Sequence, residues 1–383
     1  MKLLFACGGT AGHINPAIAT ANYIKRRRPG TEVLFIGSPK GMEARLVREA
    51  GYDFAPVEIK GIQRRLNWHN VKYNLSSLML LATCWGKIRR VLRDFSPDVV
   101  VGTGGYVSGP VLRLAGEMGI PTVTHESNAY PGVTTKLVAK TADRVLLAVP
   151  EAAGHLQCKN PPVVTGSPVR EEILFADREA ARKKLGVGER ICVLSFGGSL
   201  GAERINRAMA QVVAHFAPSG RTHHIHATGS YGTELFPDCL RELGADIQGD
   251  PHMDIREYIR DMADCLAAAD LVICRAGAMT LTELEAAGRA SVLIPSPNVA
   301  ENHQYHNAMV LQDHDAAVVI EEKDLTGERL IDTIERLIAD PARLAQLGQN
   351  AASLARIDAG ERICAEILSL AGQDPPNSTG DPA

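Results

Sequence analysis

The sequence predicts an α/β protein made of two similar halves, each with a parallel sheet, and three observations carry that prediction. Short apolar runs alternate with helical patterns along the 383 residues, as buried parallel strands and their crossover helices do. The opening pattern LLFACGGTAGHINP is echoed about 190 residues later by ICVLSFGGSLGAERIN, each a strand, a Gly-Gly-hydroxyl turn and a helix. The length also exceeds what one ordinary core fills, so two domains are expected.

Composition narrows the class. A hydrophobic content of 45% with 22% charged residues is that of a soluble globular chain. No apolar h-region follows Met1 and no run approaches the ~18 apolar residues of a membrane span, so neither a signal peptide nor a span is expected. The eight cysteines form no C-x-x-C pair, and Cys7, Cys192 and Cys274 fall in strand-like runs, which favours buried reduced thiols over disulfides or metal. The net charge of −3 conceals an asymmetry. Up to Thr165 there are 21 Lys and Arg against 11 Asp and Glu, and the remainder carries 20 against 33. A basic first half calls for an anionic partner. Nucleic acid is one candidate, but there is no aromatic–basic interleaving or DNA-reading motif, and a phosphorylated lipid or an anionic membrane face fits that half as well.

In order, Lys2 to Cys7 is a strand that ends in Gly8-Gly9-Thr10-Ala11-Gly12-His13, with the helical pattern taken up at Pro16. Glycines there permit close backbone approach, and the helix start favours an anion or polar oxygen. Glu32 to Ile36 and Met42 to Ala50 give the next strand and helix. Asn74 to Arg93 reads as a helix with a wide apolar stripe through Leu75, Leu78, Leu81 and Trp85, flanked by Lys72, Arg89 and other basic residues. It either packs on the sheet or rests on a bilayer interface against anionic headgroups. Strands at Asp98 to Gly102, Thr122 to Glu126 and Val145 to Val149 complete the half.

The Pro- and Gly-rich stretch NPPVVTGSPVR, Asn160 to Arg170, marks the join, so residues 1–165 and 166–370 are the expected domains, with a return of the last helices to the first left open and 371–383 a disordered tail. In the second half His223, His224 and His226 read as surface histidines of a strand rather than metal ligands. Asp313-His314-Asp315 has the D-x-D form of metal-dependent sugar transferases, although a turn accounts for it more simply. The densest polar stretch is Leu271 to Asn307. It reads as strand, loop, helix and strand, with Thr280 and Glu283 at capping-box spacing and Gly288 closing the helix. Leu330 to Leu370 is helical.

With GGTAGH, HESN, GSPVR, GGSLGA and CRAGAMTLTE followed by NVAENHQ, in that order from Leu3 to near Leu370, the chain resembles the MurG family of bacterial UDP-N-acetylglucosamine transferases, which make lipid II from lipid I. The resemblance implies the GT-B architecture, two Rossmann-like domains facing across a cleft. The donor nucleotide would bind mainly to the second domain, and the lipid acceptor would lie on the first. It implies UDP-GlcNAc and lipid I as substrates, no cofactor and no metal. Other cell-wall synthesis proteins would be partners, and the location would be peripheral, on the cytoplasmic face of the membrane. Carried over by motif, Thr10, Ala11, Gly12 and Asn128 would lie near the sugar. Arg170 and Ser199 would meet the diphosphate, Ser199 at a helix N-terminus. Ile259 would hold the uracil, and Ala278, Met279, Thr280, Leu281, Thr282 and Glu283 would line the nucleotide with Glu283 on the ribose. Gln304 would face the GlcNAc hydroxyls. His13 is the candidate base for inverting transfer, because an unperturbed imidazole titrates near neutral pH, or else it is a brace for its loop. Two departures stand out: Ala11 replaces a usual glycine, and Leu200 replaces a usual glutamine. A transferase to diacylglycerol, a UDP-GlcNAc 2-epimerase and a non-catalytic nucleotide-sugar binding subunit are the rival readings.

Overall fold

The structure is a computed structural model that describes residues 1–59 and 84–373. Lys72, Leu75, Leu78, Leu81 and the tail beyond 373 lie outside the described residues. The chain divides into two compact units, one of Met1–Pro168 with Arg356 onward, the other Val169–Ala355.

The first unit runs β1 Lys2–Ala6, α1 Ala11–Arg27, β2 Glu32–Gly37, α2 Met42–Glu49, β3 Asp53–Pro56, α3 over 84–95, β4 Val99–Gly102, α4 Gly105–Glu117, β5 Thr122–Glu126, α5 Val133–Val138, β6 Arg144–Leu147 and β7 Val163–Val164. Its sheet has the order β3-β2-β1-β4-β5-β6-β7, with every pair parallel. The apolar runs are continuous because helices cover both faces: Leu3, Leu4, Phe5 and Ala6 of β1 are all fully buried. Burial of each such large side chain stabilises the fold by roughly 1.5–3 kcal/mol. Strand order reverses at β1 and β4, so the loops after these strands, 7–10 and 103–104, open the sheet's carboxyl edge to a ligand.

The second unit runs α6 Glu171–Leu174, α7 Arg178–Lys184, β8 Ile191–Phe196, α8 Glu203–Phe216, β9 Thr222–Ala227, α9 Leu235–Glu242, β10 Met253–Arg256, α10 Met262–Ala268, β11 Leu271–Cys274, α11 Ala278–Ala287, β12 Ala290–Leu293, α12 His303–Asp313, β13 Val318–Val319, α13 Gly327–Ile338 and α14 Pro341–Leu354. Its parallel sheet, β10-β9-β8-β11-β12-β13, repeats the reversal at β8 and β11. The final helix, α15 Ala359–Leu370, belongs to the first unit. There Ile363, Cys364, Ile367 and Leu368 share a core with Ile14, Ala17, Ala21 and Ile24 of α1.

Several expectations need correction. Helix α1 starts at Ala11 rather than Pro16, with Thr10 at its N-cap, and it carries Pro16 inside at the cost of the backbone hydrogen bond that residue would have made to the Gly12 carbonyl. Residues 330–370 are not one helix. Asp340, whose side chain caps α14, starts a new one at Pro341, and extended backbone at Ala355 stops it. Residues 371–373 are not part of a tail: they close α15, and Arg28 donates to Gln373 Oε1 at 3.2 Å. The β9 histidines are not on the surface. Helix residues cover both faces of β9, Phe216 and Phe236 lying against His224 and His226 and Cys265 and Leu266 sharing a core with Ile225 on the other side, so His223, His224 and His226 are 1%, 0% and 0% exposed. All eight cysteines are free thiols. Among the described residues no helix is long and apolar enough to cross a membrane.

Candidate active site

In the first unit the β1–α1 loop carries the site. Gly8 and Gly9 leave the strand, Gly9 with φ of 92°, and α1 begins two residues later. Thr10 places its Oγ1 3.3 Å from His13 Nδ1, and the same nitrogen lies 3.2 Å from the Gly8 carbonyl. A carbonyl only accepts, so Nδ1 carries the proton and Nε2 is the basic nitrogen of the neutral ring. The ring lies against Gly104: a Cβ there would meet His13 Cδ2 at 2.6 Å. Thr103 Oγ1 donates to the His13 carbonyl at 2.6 Å, tying the loops after β1 and β4 together. Ala11 lies inside α1 and is absent from the left-handed residues, so its methyl costs the loop nothing.

At the end of β5, Asn128 is held by its own strand. Glu126 Oε1 accepts from the Asn128 backbone at 3.0 Å and from its Nδ2 at 2.8 Å, while Oε2 accepts from Gly132 N–H. The buried His125 contacts the Gly166 carbonyl through Nε2 at 2.9 Å, and its burial lowers its pKa.

The second unit supplies the remaining positions. After β8, Gly197-Gly198-Ser199-Leu200-Gly201 turns back on itself, with Gly201 N–H bonding to Gly198 O. Ser199 and Leu200 are exposed. Helix α8 begins only at Glu203, so Ser199 sits in the loop ahead of the helix, not at its N-terminus as expected. The loop rests on Thr228-Gly229, where a Cβ at Gly201 would lie 2.1 Å from Thr228 O. Beneath it, Asn206 Nδ2 donates to the same carbonyl, Asn206 Oδ1 meets His226 Nε2, and Ser195 Oγ meets His226 Nδ1 at 2.8 Å.

Residues Ala278 to Thr282 form the first turns of α11, capped by Gly277, which offers no side chain. The Thr280–Glu283 capping box therefore does not form. Instead Glu283 Oε1 accepts from Arg170 Nε at 2.9 Å. The Glu283 side chain is 15% exposed against 45% for Arg170. Burial raises the Glu283 pKa and Arg170 pulls it back. Ile259 is buried just beyond β10, next to an exposed Tyr258. Gln304 opens α12 and accepts from the Ser296 amide at 2.9 Å, and Glu301 and Asn302, just before it, both adopt left-handed backbone. Such strain in non-glycine residues collects at ligand-binding loops.

The expected residues thus assemble at the carboxyl edges of two sheets: Thr10, Ala11, Gly12, His13 and Asn128 on one, Arg170, Ser199, Ile259, Ala278 to Glu283 and Gln304 on the other. Asp315 is engaged by Arg343, whose Nη1 and Nη2 each reach a carboxylate oxygen at 2.6 Å. Among the described residues no group of three or more His, Cys, Asp or Glu is placed to hold a metal ion. Sequence reasoning missed Glu43, a fully buried acid under the β1–α1 loop, and the Asn206–His226 network under the β8–α8 loop.

Models of the glycosyltransferase family 28 N-terminal and C-terminal domains match residues 3–147 and 192–363. The chain is 44% identical to the UDP-N-acetylglucosamine–N-acetylmuramyl-(pentapeptide) pyrophosphoryl-undecaprenol N-acetylglucosamine transferase of Acetivibrio thermocellus, covering 95% of this chain and 96% of that protein. It is 40% identical to the protein of the same name from Desulforudis audaxviator, over 97% and 99%. The chain belongs to glycosyltransferase family 28, on its MurG branch. Among solved structures, MurG of Acinetobacter baumannii superposes with a TM-score of 0.76 at 27% identity, covering 96% of this chain and 99% of that one. A putative UDP-N-acetylglucosamine 2-epimerase from Listeria monocytogenes superposes at 0.68 with 13% identity over 99% of each chain, a likeness of fold alone. The family 28 fold is the GT-B class, and the glycine-rich turns that open the two sheets are the parts this MurG-branch chain repeats in both units.

Proposed function

We propose that the chain transfers N-acetylglucosamine from UDP-GlcNAc to the 4-hydroxyl of MurNAc in undecaprenyl-pyrophosphoryl-MurNAc-pentapeptide, with inversion, as the lipid II-forming step of peptidoglycan synthesis. The observation that carries this reading is identity of 40% or more, over nearly the whole length, to enzymes named for that reaction. The site chemistry agrees. Single displacement at the sugar's C1 needs a base for the acceptor hydroxyl, and His13 Nε2 is a basic nitrogen held in a defined tautomer. Asn128, Thr10 and Gly12 supply polar and close-approach surface near it.

On the donor side, Arg170 neutralises the departing diphosphate together with the amides of the Gly198–Gly201 loop around Ser199. Arg170 donates to Glu283. Diphosphate would draw the half-exposed guanidinium away, releasing the Glu283 carboxylate to accept from the ribose hydroxyls. Ile259 receives the uracil, Ala278 to Thr282 line the nucleotide, and Gln304 reads the GlcNAc hydroxyls. Arg170 takes the place of a metal in this scheme, and Asp315 is committed to Arg343.

The acceptor's lipid requires a membrane face, placed on the cytoplasmic side, and the basic first unit supplies it. Cys84, Ile88 and Leu92 of α3 pack into the core, Trp85 is half-buried under Arg113, and Arg89 is exposed. On α5, Leu137 is 64% and Val133 42% exposed, beside Lys136 and Lys140. Such apolar groups among lysines suit an anionic interface. The test is UDP release with a panel of acceptors. Release that requires a short-chain lipid I analogue supports the reading, and release that requires diacylglycerol replaces it.

A further inference from the structure

Among the described residues Glu43 is the one acid of the first unit's site region that no assigned role uses, and its setting is built around it. Its side chain is wholly buried at the start of α2. The carboxylate accepts from Ser38 N–H at 3.1 Å, Tyr106 O–H at 3.0 Å and Gly9 N–H at 3.3 Å. Among the described residues no lysine or arginine pairs with it. The Cys7 thiol pKa is pushed up first by that thiol's own burial and then by the negative charge of Glu43.

Room for this group is made by three glycines. A Cβ at Gly41 would lie 2.3 Å from both carboxylate oxygens, one at Gly37 2.7 Å from Glu43 Cγ, and one at Gly8 2.9 Å from Oε1. The three donors come from separate segments: the β1–α1 loop, the β2–α2 loop and the first turn of α4. Gly8 is pinned from the other side too, since a Cβ at Gly105 would sit 2.0 Å from its carbonyl oxygen. That carbonyl is the acceptor for His13 Nδ1.

We propose that Glu43 is a positioning residue for the transfer reaction: it anchors the Gly8-Gly9 turn and the Tyr106 hydroxyl, and through the Gly8 carbonyl it holds His13 with Nδ1 protonated and Nε2 facing its task. The carboxylate is needed because all three partners donate. A glutamine keeps the shape but offers one acceptor oxygen, turning an NH₂ group toward a donor. An alanine takes the acceptor away from the Ser38 and Gly9 amides and from the Tyr106 hydroxyl alike.

This rests on the transferase reading for its kinetics but not for its spectroscopy, so the two fail separately. The full chain would be labelled with ¹⁵N-histidine and the His13 tautomer read from its ring nitrogen shifts. The wild type should show the Nδ1–H form, and an Nε2–H form overturns the proposal without any variant. In Glu43→Gln the expected results are a mixed tautomer, kcat lowered at least tenfold, and a KM for UDP-GlcNAc within threefold, because the donor's nucleotide is held mainly by the other unit. Gly41→Ala, with φ of −81° open to alanine, displaces the carboxylate while leaving its charge, and should do the same. A folded Glu43→Gln or Gly41→Ala protein with kcat within twofold of wild type and an unchanged His13 spectrum overturns the proposal. If Glu43→Gln does not fold, Gly41→Ala and the wild-type spectrum decide. A wild type that shows the Nδ1–H form but no transfer refutes the function and leaves the geometry standing.

Discussion

Glu283 and His13 divide the work of binding and chemistry between two residues, and each division has a kinetic signature. Removing the Glu283 carboxylate forfeits its bonds to the ribose, roughly 1.5–3 kcal/mol for hydrogen bonds to a charged group. Glu283→Ala should therefore raise the KM for UDP-GlcNAc about tenfold to a hundredfold, and an unchanged KM in a steady-state assay would remove Glu283 from the site. His13→Ala should lower kcat by about 10²–10⁴ with donor KM near normal, as loss of a general base does. A fall below tenfold in the folded variant would make His13 a brace only. Both residues were legible because they sit in or beside glycine turns whose chemistry is local. Glu43 was not. An acid in the first turn of a helix is common, since the helix dipole favours it, so nothing in Met42 to Ala50 says that this one turns inward. The same holds for Arg170 and Glu283, whose pairing spans 113 residues and replaces the capping box that spacing alone suggested.

At the scale of the element, β9 shows how position overrides composition. Three histidines in six residues look solvent-facing, yet helices cover both faces of this strand. His224 and His226 are pushed down to about 3, first by burial, and so are neutral in the fold. The unfolded chain protonates them near 6.5, so it binds more protons than the fold below that pH. Stability should be flat above pH 6.5 and fall as pH drops from there toward 3. At ~1.4 kcal/mol per pH unit for each group, roughly 4 kcal/mol is lost by pH 5. Thermal melts at pH 7.5 and 5 measure this, and equal melting temperatures would show that the histidines reach protons in the fold. The surface helices make a different test. Leu137→Glu on α5 should keep the melting temperature while weakening binding to anionic vesicles, because the side chain is already 64% exposed. Trp85→Glu should weaken vesicle binding as well, with some loss of stability because its ring packs under Arg113. Undiminished sedimentation of the Leu137→Glu protein with such vesicles at low salt would take α5 out of the membrane face.

For the whole molecule, the two-part plan was written in the duplicated Gly-Gly-hydroxyl turns, since a strand that must deliver its chain to a ligand needs the same local chemistry each time. The return of α15 to the first unit follows from an apolar stripe that matches the face of α1, a match no local pattern announces. The central claim is transfer of GlcNAc to lipid-linked MurNAc without a metal, and product analysis reads it directly. The full chain would be incubated with UDP-GlcNAc and a short-chain lipid I analogue, with and without EDTA, and the lipid product examined by mass and by the coupling of its new anomeric proton. A β-1,4-linked disaccharide on the lipid, formed at the same rate in both reactions, is the expected product. Turnover lost in EDTA and restored by Mn²⁺, or UDP-GlcNAc recovered as its C2 epimer with the acceptor untouched, would contradict it.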